Sequence, residues 1–501
     1  MRKLLLIGLL AAGSCDYFLR SNPDYCVDDS SCSSDTICNS SLHRCEPGTV
    51  GAVVLTSINP NVAALAGGDT VVVTGMNFRT GATVTFNGVA APQVQVRSAT
   101  ELAVVVPKVD GSCGPATVAV TNPGAAAVAS DALFRFKIGM PAFTSIPGGL
   151  PSFPIAGHAI KAVDFDVDGK MDLAVLDTAS QNVLIYKGNG SKDLNFSLIG
   201  TGHHVGALVG DMLFVRANGD IYPDLIAWNS IGLGLYLNNQ DKDFTDTTML
   251  SDTIGSVAVG TLNGTTNAQD LVIGDTASAR VTYRLAVPQG AGAPYSGTAS
   301  PLALGEKTKA VLMDSFENGS PYQAIVAAQP NTSRASVYFG QAAGVFTQKD
   351  VDLGTQPIQM AAADLDKDGN KDLIAVGGLG STASLSAVYG DGNRGFSTPP
   401  VVTSIGTSPQ LVMTGDSGFD FDCDGRPDVV VYLVDSTSIL IYLNNVGGRT
   451  LGAPVSIPVG SAVDSLAVAD LDGDGQPDLA LVTRSAVMTN RSSVLLRNTS
   501  H

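Results

Sequence analysis

The sequence predicts an all-β chain: a seven-bladed β-propeller preceded by an immunoglobulin-like β-sandwich and a short disulfide-rich segment. Three observations predict it. Strand-forming runs alternate with turn residues, 55 Gly and 25 Pro among 501 residues, with no long stretch of helical period. An acidic nine-residue pattern returns about every fifty residues, a period that belongs to blades, arrays or solenoids. The run after each acidic pattern is apolar at consecutive positions, as in Leu173-Ala174-Val175-Leu176 and Val429-Val430-Val431-Tyr432. A strand apolar on both faces is sandwiched between neighbouring sheets, as in a propeller.

The acidic pattern is clearest in residues 468–483. Asp470, Asp472 and Asp474 alternate, Gly475 follows, and Asp478 closes the stretch before an apolar run. Alternation presents three carboxylates to one point, and Gly475 can take the positive φ of a sharp turn. All-oxygen donors in that arrangement suit a hard cation, Ca²⁺ above all. The stretch starts like a helix-flanked EF-hand loop, but Leu481 stands where that loop needs Glu. The flanks, Ser465–Ala469 and Leu479–Val482, have strand composition, so the cage tips a β-hairpin.

Three more copies are intact: Asp164, Asp166, Asp168, Gly169 and Asp172; Asp364, Asp366, Asp368, Gly369 and Asp372; Asp420, Asp422, Asp424, Gly425 and Asp428. The interval from 164 to 364 holds three worn copies at the same period. Arg216–Asp224 keeps Asn218, Asp220 and Asp224; Gly260–Asp270 keeps Asn263 and Asp270; Asp314–Tyr322 keeps Asp314, Asn318 and Gly319. The last unit ends at Leu496-Arg497-Asn498 without a fourth strand. Phe143–Pro147 and Phe153–Gly157, ahead of the first unit, look like the outer strands that end other units. The N-terminal segment is therefore expected to complete the final blade and close the ring, removing sheet edges that invite aggregation. Closure makes the intact fifth, sixth, seventh and first units one contiguous arc.

The pattern resembles the FG-GAP/VCBS repeats of integrin α-subunit propellers and bacterial surface proteins, over residues 138–501. The resemblance implies Ca²⁺ held by Asp at loop positions one, three, five and nine and a backbone carbonyl at seven. Carried onto this chain, the carbonyls belong to Lys170, Asn370, Arg426 and Gln476. The expectation is about four structural Ca²⁺ ions, with none assigned to the second, third and fourth units. Each loop spends four carboxylates and a carbonyl on one ion, which favours a structural over a catalytic role.

Residues 1–14 read as an export signal: Arg2-Lys3, an apolar Leu4–Ala12, then small residues before Cys15. Ala12-Gly13-Ser14-Cys15 resembles the bacterial lipobox, which implies acylation of Cys15 and a membrane tether for a linker over residues 15–51. Within the linker, Cys26, Cys32, Cys38 and Cys45 sit in a polar stretch too small for a core. Two disulfides are favoured over zinc, because no CxxC spacing exists and His43 is the only nearby His. The pairing of Cys113 and Cys423 stays open.

Residues 52–137 form short alternating strands split by Gly and Asn-Gly turns, including Val71–Phe78, Val84–Gly88 and Val118–Gly124. They resemble the IPT/TIG immunoglobulin-like domain, with its Gly-x-Asn-Phe element at Gly75–Phe78. A rigid spacer is the expected role.

The formal charge of −17 mostly reflects the cages. Their sixteen Asp (four in each of four) would receive +8 from four Ca²⁺, leaving about −9. No Lys/Arg cluster supports a nucleic-acid partner. A mean hydropathy of +0.21 fits strands buried on both faces, since the longest apolar run, Leu4–Gly13, is too short to span a bilayer.

Sharper chemistry fares poorly. Gly415-Asp416-Ser417-Gly418 matches a trypsin-like nucleophile motif but lies inside a repeat, and His158, His203 and His204 lack the matching context. His203-His204 is expected as a surface pair. Trp228, the only Trp, aligns with Leu176, Val376, Tyr432 and Val482, which favours core packing over an aromatic binding platform. The expected function is non-catalytic binding or adhesion at a bacterial cell envelope, for a protein or glycan ligand. By the integrin-type resemblance the ligand meets the face opposite the Ca²⁺ hairpins. A carbohydrate-binding protein or polysaccharide-degrading enzyme on a propeller is the alternative.

Overall fold

The computed structural model describes residues 51–499 apart from 111–112, 147–156, 241–242, 252, 265–266, 288–293, 309, 407–408, 414–418, 434, 445–448 and 485–490; it also describes 26–27, 32, 36–39 and 42–47. The signal segment, Cys15 and the Gly415–Gly418 motif lie outside the described residues. Among the described residues, regular structure is all β apart from one 3-10 turn at Gly380–Thr382. By internal contacts the chain divides into two units, one drawn from residues 1–139 with Asp422–Gly425, the other from 140–421 and 426–499.

In the first unit, Thr36–Asn39 pairs with Arg44–Pro47. Two disulfides, Cys26–Cys38 and Cys32–Cys45, hold this piece, which has too little apolar surface to fold on burial alone. The unit also contains a third disulfide, Cys113–Cys423, between residues 310 apart in sequence. Residues 54–137 form a β-sandwich. One sheet orders Val54–Asn59, Thr70–Met76, Glu101–Val105 and Gln93–Ser98; a second orders Val128–Ser130, Val118–Thr121, Thr83–Phe86 and Val89–Ala90; a third, smaller one orders Gly114–Pro115, Arg135–Lys137 and Val62–Ala64. Alternation places Val71, Val73, Val84, Phe86, Leu102, Val104, Val118 and Val120 inside, around edge-on contacts among Phe86, Phe134 and Phe136. The Gly-x-Asn-Phe element has a steric explanation. A Cβ on Gly75 would stand 2.0 Å from the Val54 carbonyl oxygen, while Asn77 takes φ +63° and Phe78 is fully buried.

The second unit consists of seven four-stranded antiparallel sheets, six of which join their strands in simple sequence order. The first uses Gly157–Val163, Asp172–Asp177, Asn182–Gly188 and Phe196–His204. The next five occupy 211–250, 254–303, 311–352, 357–404 and 409–458. In the seventh, Ala462–Ala469, Asp478–Arg484 and Arg491–Asn498 receive their fourth strand from Phe143–Ser145, with Phe143 opposite Asn498 and Ser145 opposite Leu496. The second unit thus begins and ends in one sheet, as the missing outer strand of the last repeat predicts. The second predicted segment, at Phe153–Gly157, falls almost wholly outside the described residues.

Seven apolar clusters show how the sheets pack. Each second strand turns alternate side chains to opposite neighbours. In the first sheet Leu173 and Val175 pack against Ala480 and Val482 of the seventh, while Ala174 and Leu176 pack against Leu225 and Ala227 of the second. The same alternation links second to third, third to fourth, fourth to fifth, fifth to sixth and sixth to seventh. The cycle returns to its start, so the sheets form a closed propeller. Each fully buried Val or Leu contributes roughly 1.5–3 kcal/mol, which is why the second strands read as unbroken apolar runs.

Candidate metal centres

Each intact acidic pattern forms the loop between the first and second strands of its sheet. The loops bend at two left-handed residues. Position six is Gly169, Gly369, Gly425 or Gly475, with φ of +83°, +89°, +90° and +86°. Position four is also left-handed: Val167 at +60°, Lys367 at +59°, Cys423 at +61° and Gly473 at +78°. Sequence reasoning found the sixth position because glycine marks it; the fourth carries no such mark in three loops.

Position one braces the turn. Asp164 accepts from the Asp168 and Gly169 N–H groups at 3.0 Å each. Asp364 does the same with Asp368 and Gly369, and Asp470 with Gly473, Asp474 and Gly475. Position five accepts the N–H of position seven: Asp168 from Lys170, Asp368 from Asn370, Asp474 from Gln476, at 2.8–3.0 Å. Position two, occupied by Phe165, Leu365, Phe421 or Leu471, is buried and pins the loop to the core.

Carboxylate oxygens at positions one, three and nine converge to within 4.8 Å of one another in all four loops. The groups are Asp164, Asp166 and Asp172; Asp364, Asp366 and Asp372; Asp420, Asp422 and Asp428; Asp470, Asp472 and Asp478. The fifth-position residues Asp168, Asp368, Asp424 and Asp474 are not among these triples. Charge crowding and burial are plain in the electrostatics. Burial, reinforced by neighbouring carboxylates, pushes Asp172 up to about 6 and Asp372 and Asp478 up to about 7. Burial and the Asp474 and Asp470 charges raise Asp472 as well. Asp166 Oδ1 and Asp472 Oδ2 are buried with no hydrogen-bond partner. Converging, partly unpartnered carboxylate oxygens fit a hard divalent cation, which would neutralise the repulsion and complete the unmade contacts.

Position nine also has a role that sequence reasoning missed. One Asp172 oxygen accepts from Phe165 N–H at 2.9 Å and the other from Gly188 N–H on the third strand at 2.8 Å. The same two-sided clasp recurs at Asp372, Asp428 and Asp478. It persists in the worn second and third sheets, where Asp224 bridges Ala217 and Asn238 and Asp270 bridges Leu262 and Ala286. The carboxylate therefore stitches three strands whether or not the cage is complete. The available signal was its survival in repeats that had lost the alternating Asp.

Among the remaining candidates, His203 lies on the outer strand of the first sheet. Its ring sits edge-on to Tyr236 and Phe244, with Asp246 3.0 Å from Nε2 and Asp243 3.4 Å from Nδ1. His204 faces Asn182 instead, so the two imidazoles do not form one site. Trp228 is 8% exposed and packs into the apolar cluster between the second and third sheets, as core packing predicts. Trp228 also lines a cavity of about 390 Å³ together with Lys161, Asp211, Ser230, Ser256 and Gln359. Asp211, Ser256 and Gln359 lie in the first halves of the first strands of their sheets, away from the acidic loops, whereas Lys161 lies nearer the loop end of its strand, Gly157–Val163.

Residues 54–136 match the IPT/TIG domain family, and residues 420–481 match an FG-GAP-like repeat. No curated protein sequence matches the chain. Among solved structures, BBS1N in complex with ARL6DN is 12% identical at a TM-score of 0.48, covering 72% of this chain and 98% of that one. An Agrocybe aegerita lectin that recognises non-reducing terminal N-acetylglucosamine is 13% identical, TM-score 0.45, over 85% and 98% of the two chains. An auxiliary nutrient binding protein from Bacteroides ovatus is 13% identical, TM-score 0.36, over 89% and 99%.

Proposed function

We propose that this chain is an exported, non-catalytic binding protein of a bacterial cell envelope, tethered through acylated Cys15, whose propeller is locked by about four Ca²⁺ ions. The observation that carries the reading is where the acidic groups lie. The clustered carboxylates are braced by backbone N–H groups in hairpin loops, an arrangement suited to rigidity. Asp164, Asp166, Asp168 and Asp172, with the carbonyl of Lys170, would hold one ion, and the corresponding residues of the fifth, sixth and seventh sheets the others. The cross-linked Cys26–Cys45 segment supports an oxidising compartment. Among the described residues no helix is long and apolar enough to cross a membrane.

The ligand is a protein or glycan met at the propeller end away from the Ca²⁺ loops. The cavity edged by Trp228 supports that placement, since pockets at the mouth of a closed sheet array are common ligand sites. Among the described residues lining it, Asp211 is the one carboxylate, and it is 3.5 Å from the Lys161 ammonium. Glycoside hydrolysis of the usual kind needs two carboxylates across the scissile bond. The test is pull-down from envelope extract and a glycan array with the full chain, alongside a reducing-sugar release assay. Retention of a ligand without cleavage is expected; release of reducing ends would overturn the non-catalytic reading.

A further inference from the structure

The four loops differ in what stands beside them. At the end of the third strand of each intact sheet, or two residues past it, one residue donates its N–H to the position-nine Asp: Gly188, Gly390, Asn444 and Asn498. The residue just before it changes identity from sheet to sheet: Lys187, Tyr389, Leu443 and Arg497. Lys187 turns into the first cage. Its ammonium is hydrogen-bonded to Asp166 Oδ2 and stands 3.1 Å from Asp168 Oδ2. Arg497, at the same place in the seventh sheet, sends its guanidinium to the Lys192 carbonyl at 2.7 Å instead. Tyr389 lies under the guanidinium of Arg449, whose Nε reaches Asp366 at 2.9 Å. Leu443 brings no charge of its own.

We infer that this third-strand position grades the metal affinity of the four loops, with Lys187 acting as a resident counter-ion of the first. The inference rests on the reading of the loops as Ca²⁺ sites. The ammonium meets a carboxylate that a divalent ion needs, and two cations cannot share it without strong repulsion at this range. Metal entry must therefore expel Lys187. Its side chain is 37% exposed and its stem is long, so water is an available destination. Without metal, the same ammonium offsets part of the carboxylate repulsion, so the first loop is supported in both states. The first loop then fills last. Arg449 weakens the fifth loop through one carboxylate, a smaller effect than a lysine lodged between two.

Calorimetric titration of Ca²⁺ into the metal-stripped full chain, with thermal melts with and without the ion, tests this. The wild type is expected to show one site at least tenfold weaker than the tightest. Lys187→Met should tighten that weak site at least tenfold, and Lys187→Arg should leave it weak. Lys187→Met should also lower the metal-free melting temperature while raising the Ca²⁺-loaded one. A purely structural role for the lysine stem would shift both melts in the same direction. Binding of Ca²⁺ with affinities unchanged in Lys187→Met would overturn the inference alone; no binding in any variant would overturn the Ca²⁺ reading and this inference with it.

Discussion

Asp478 accepts a hydrogen bond from the backbone N–H of Asn498 at 2.7 Å, tying the start of a second strand to the end of a third. The equivalent bond from Asn238 to Asp224, 2.9 Å long, occurs in a sheet whose acidic loop is incomplete. Asp224→Ala isolates this clasp from metal binding. The substitution leaves the Ala217 and Asn238 N–H groups buried without an acceptor, each costing roughly 1–3 kcal/mol. Chemical denaturation should show a loss of about 2 kcal/mol or more in Ca²⁺ and in chelator alike. A loss seen only with Ca²⁺ present would show that the clasp acts through metal.

The buried clasps also set a pH dependence for the metal-free protein. Burial pushes Asp172 and Asp224 up to about 6, and Asp372 and Asp478 up to about 7. In the unfolded chain an aspartate ionises near about 3.9. Between those values the folded state holds more protons than the unfolded state, so raising the pH lowers stability. Metal-stripped protein should therefore lose melting temperature from about pH 4 to about pH 7.5, by several degrees. With saturating Ca²⁺ the decline should flatten or reverse. Circular-dichroism melts across that range check it, and a metal-free melting temperature that rises with pH would contradict the assignment.

Val167 takes φ +60° at loop position four, where the seventh sheet has Gly473. A β-branched residue in the left-handed region costs of the order of 1–3 kcal/mol. The side chain is 42% exposed, so little apolar contact is lost on its removal. Glycine restores an easy turn and costs about 0.5–1 kcal/mol of unfolded-state entropy. Val167→Gly is expected to stabilise the protein by roughly 1 kcal/mol, read by denaturant titration. A destabilisation would mean that the valine packs where exposure gives no sign of it.

The tether has a direct test. Cys15→Ser should move the protein from the membrane fraction to the soluble fraction of expressing bacteria, because acyl chains supply about 0.8 kcal/mol per buried CH₂. An unchanged membrane fraction would remove the lipid anchor from the account.

The propeller was legible in the sequence because its rules are local and repeated. Leu173-Ala174-Val175-Leu176 must face apolar neighbours on both sides, and the structure supplies them from the seventh and second sheets. Closure was legible from a deficit: Arg491–Asn498 ends the chain with one strand too few, and Phe143–Ser145 fills the place. What stayed hidden depends on tertiary placement. Nothing adjacent to Lys187 in sequence marks it as the cation that enters the first cage, 21 residues from Asp166. The Cys113–Cys423 bond joins residues 310 apart, beyond any spacing rule. Trp228 lies in register with Asp211 on the neighbouring strand, and both residues line the cavity.

Calorimetric titration of Ca²⁺ into the metal-stripped full chain tests the central claim most directly. Saturable heat with about four ions bound per chain is expected, and one ion fewer after Asp472→Ala with the folded state retained. An absence of heat in the stripped wild-type protein would contradict it.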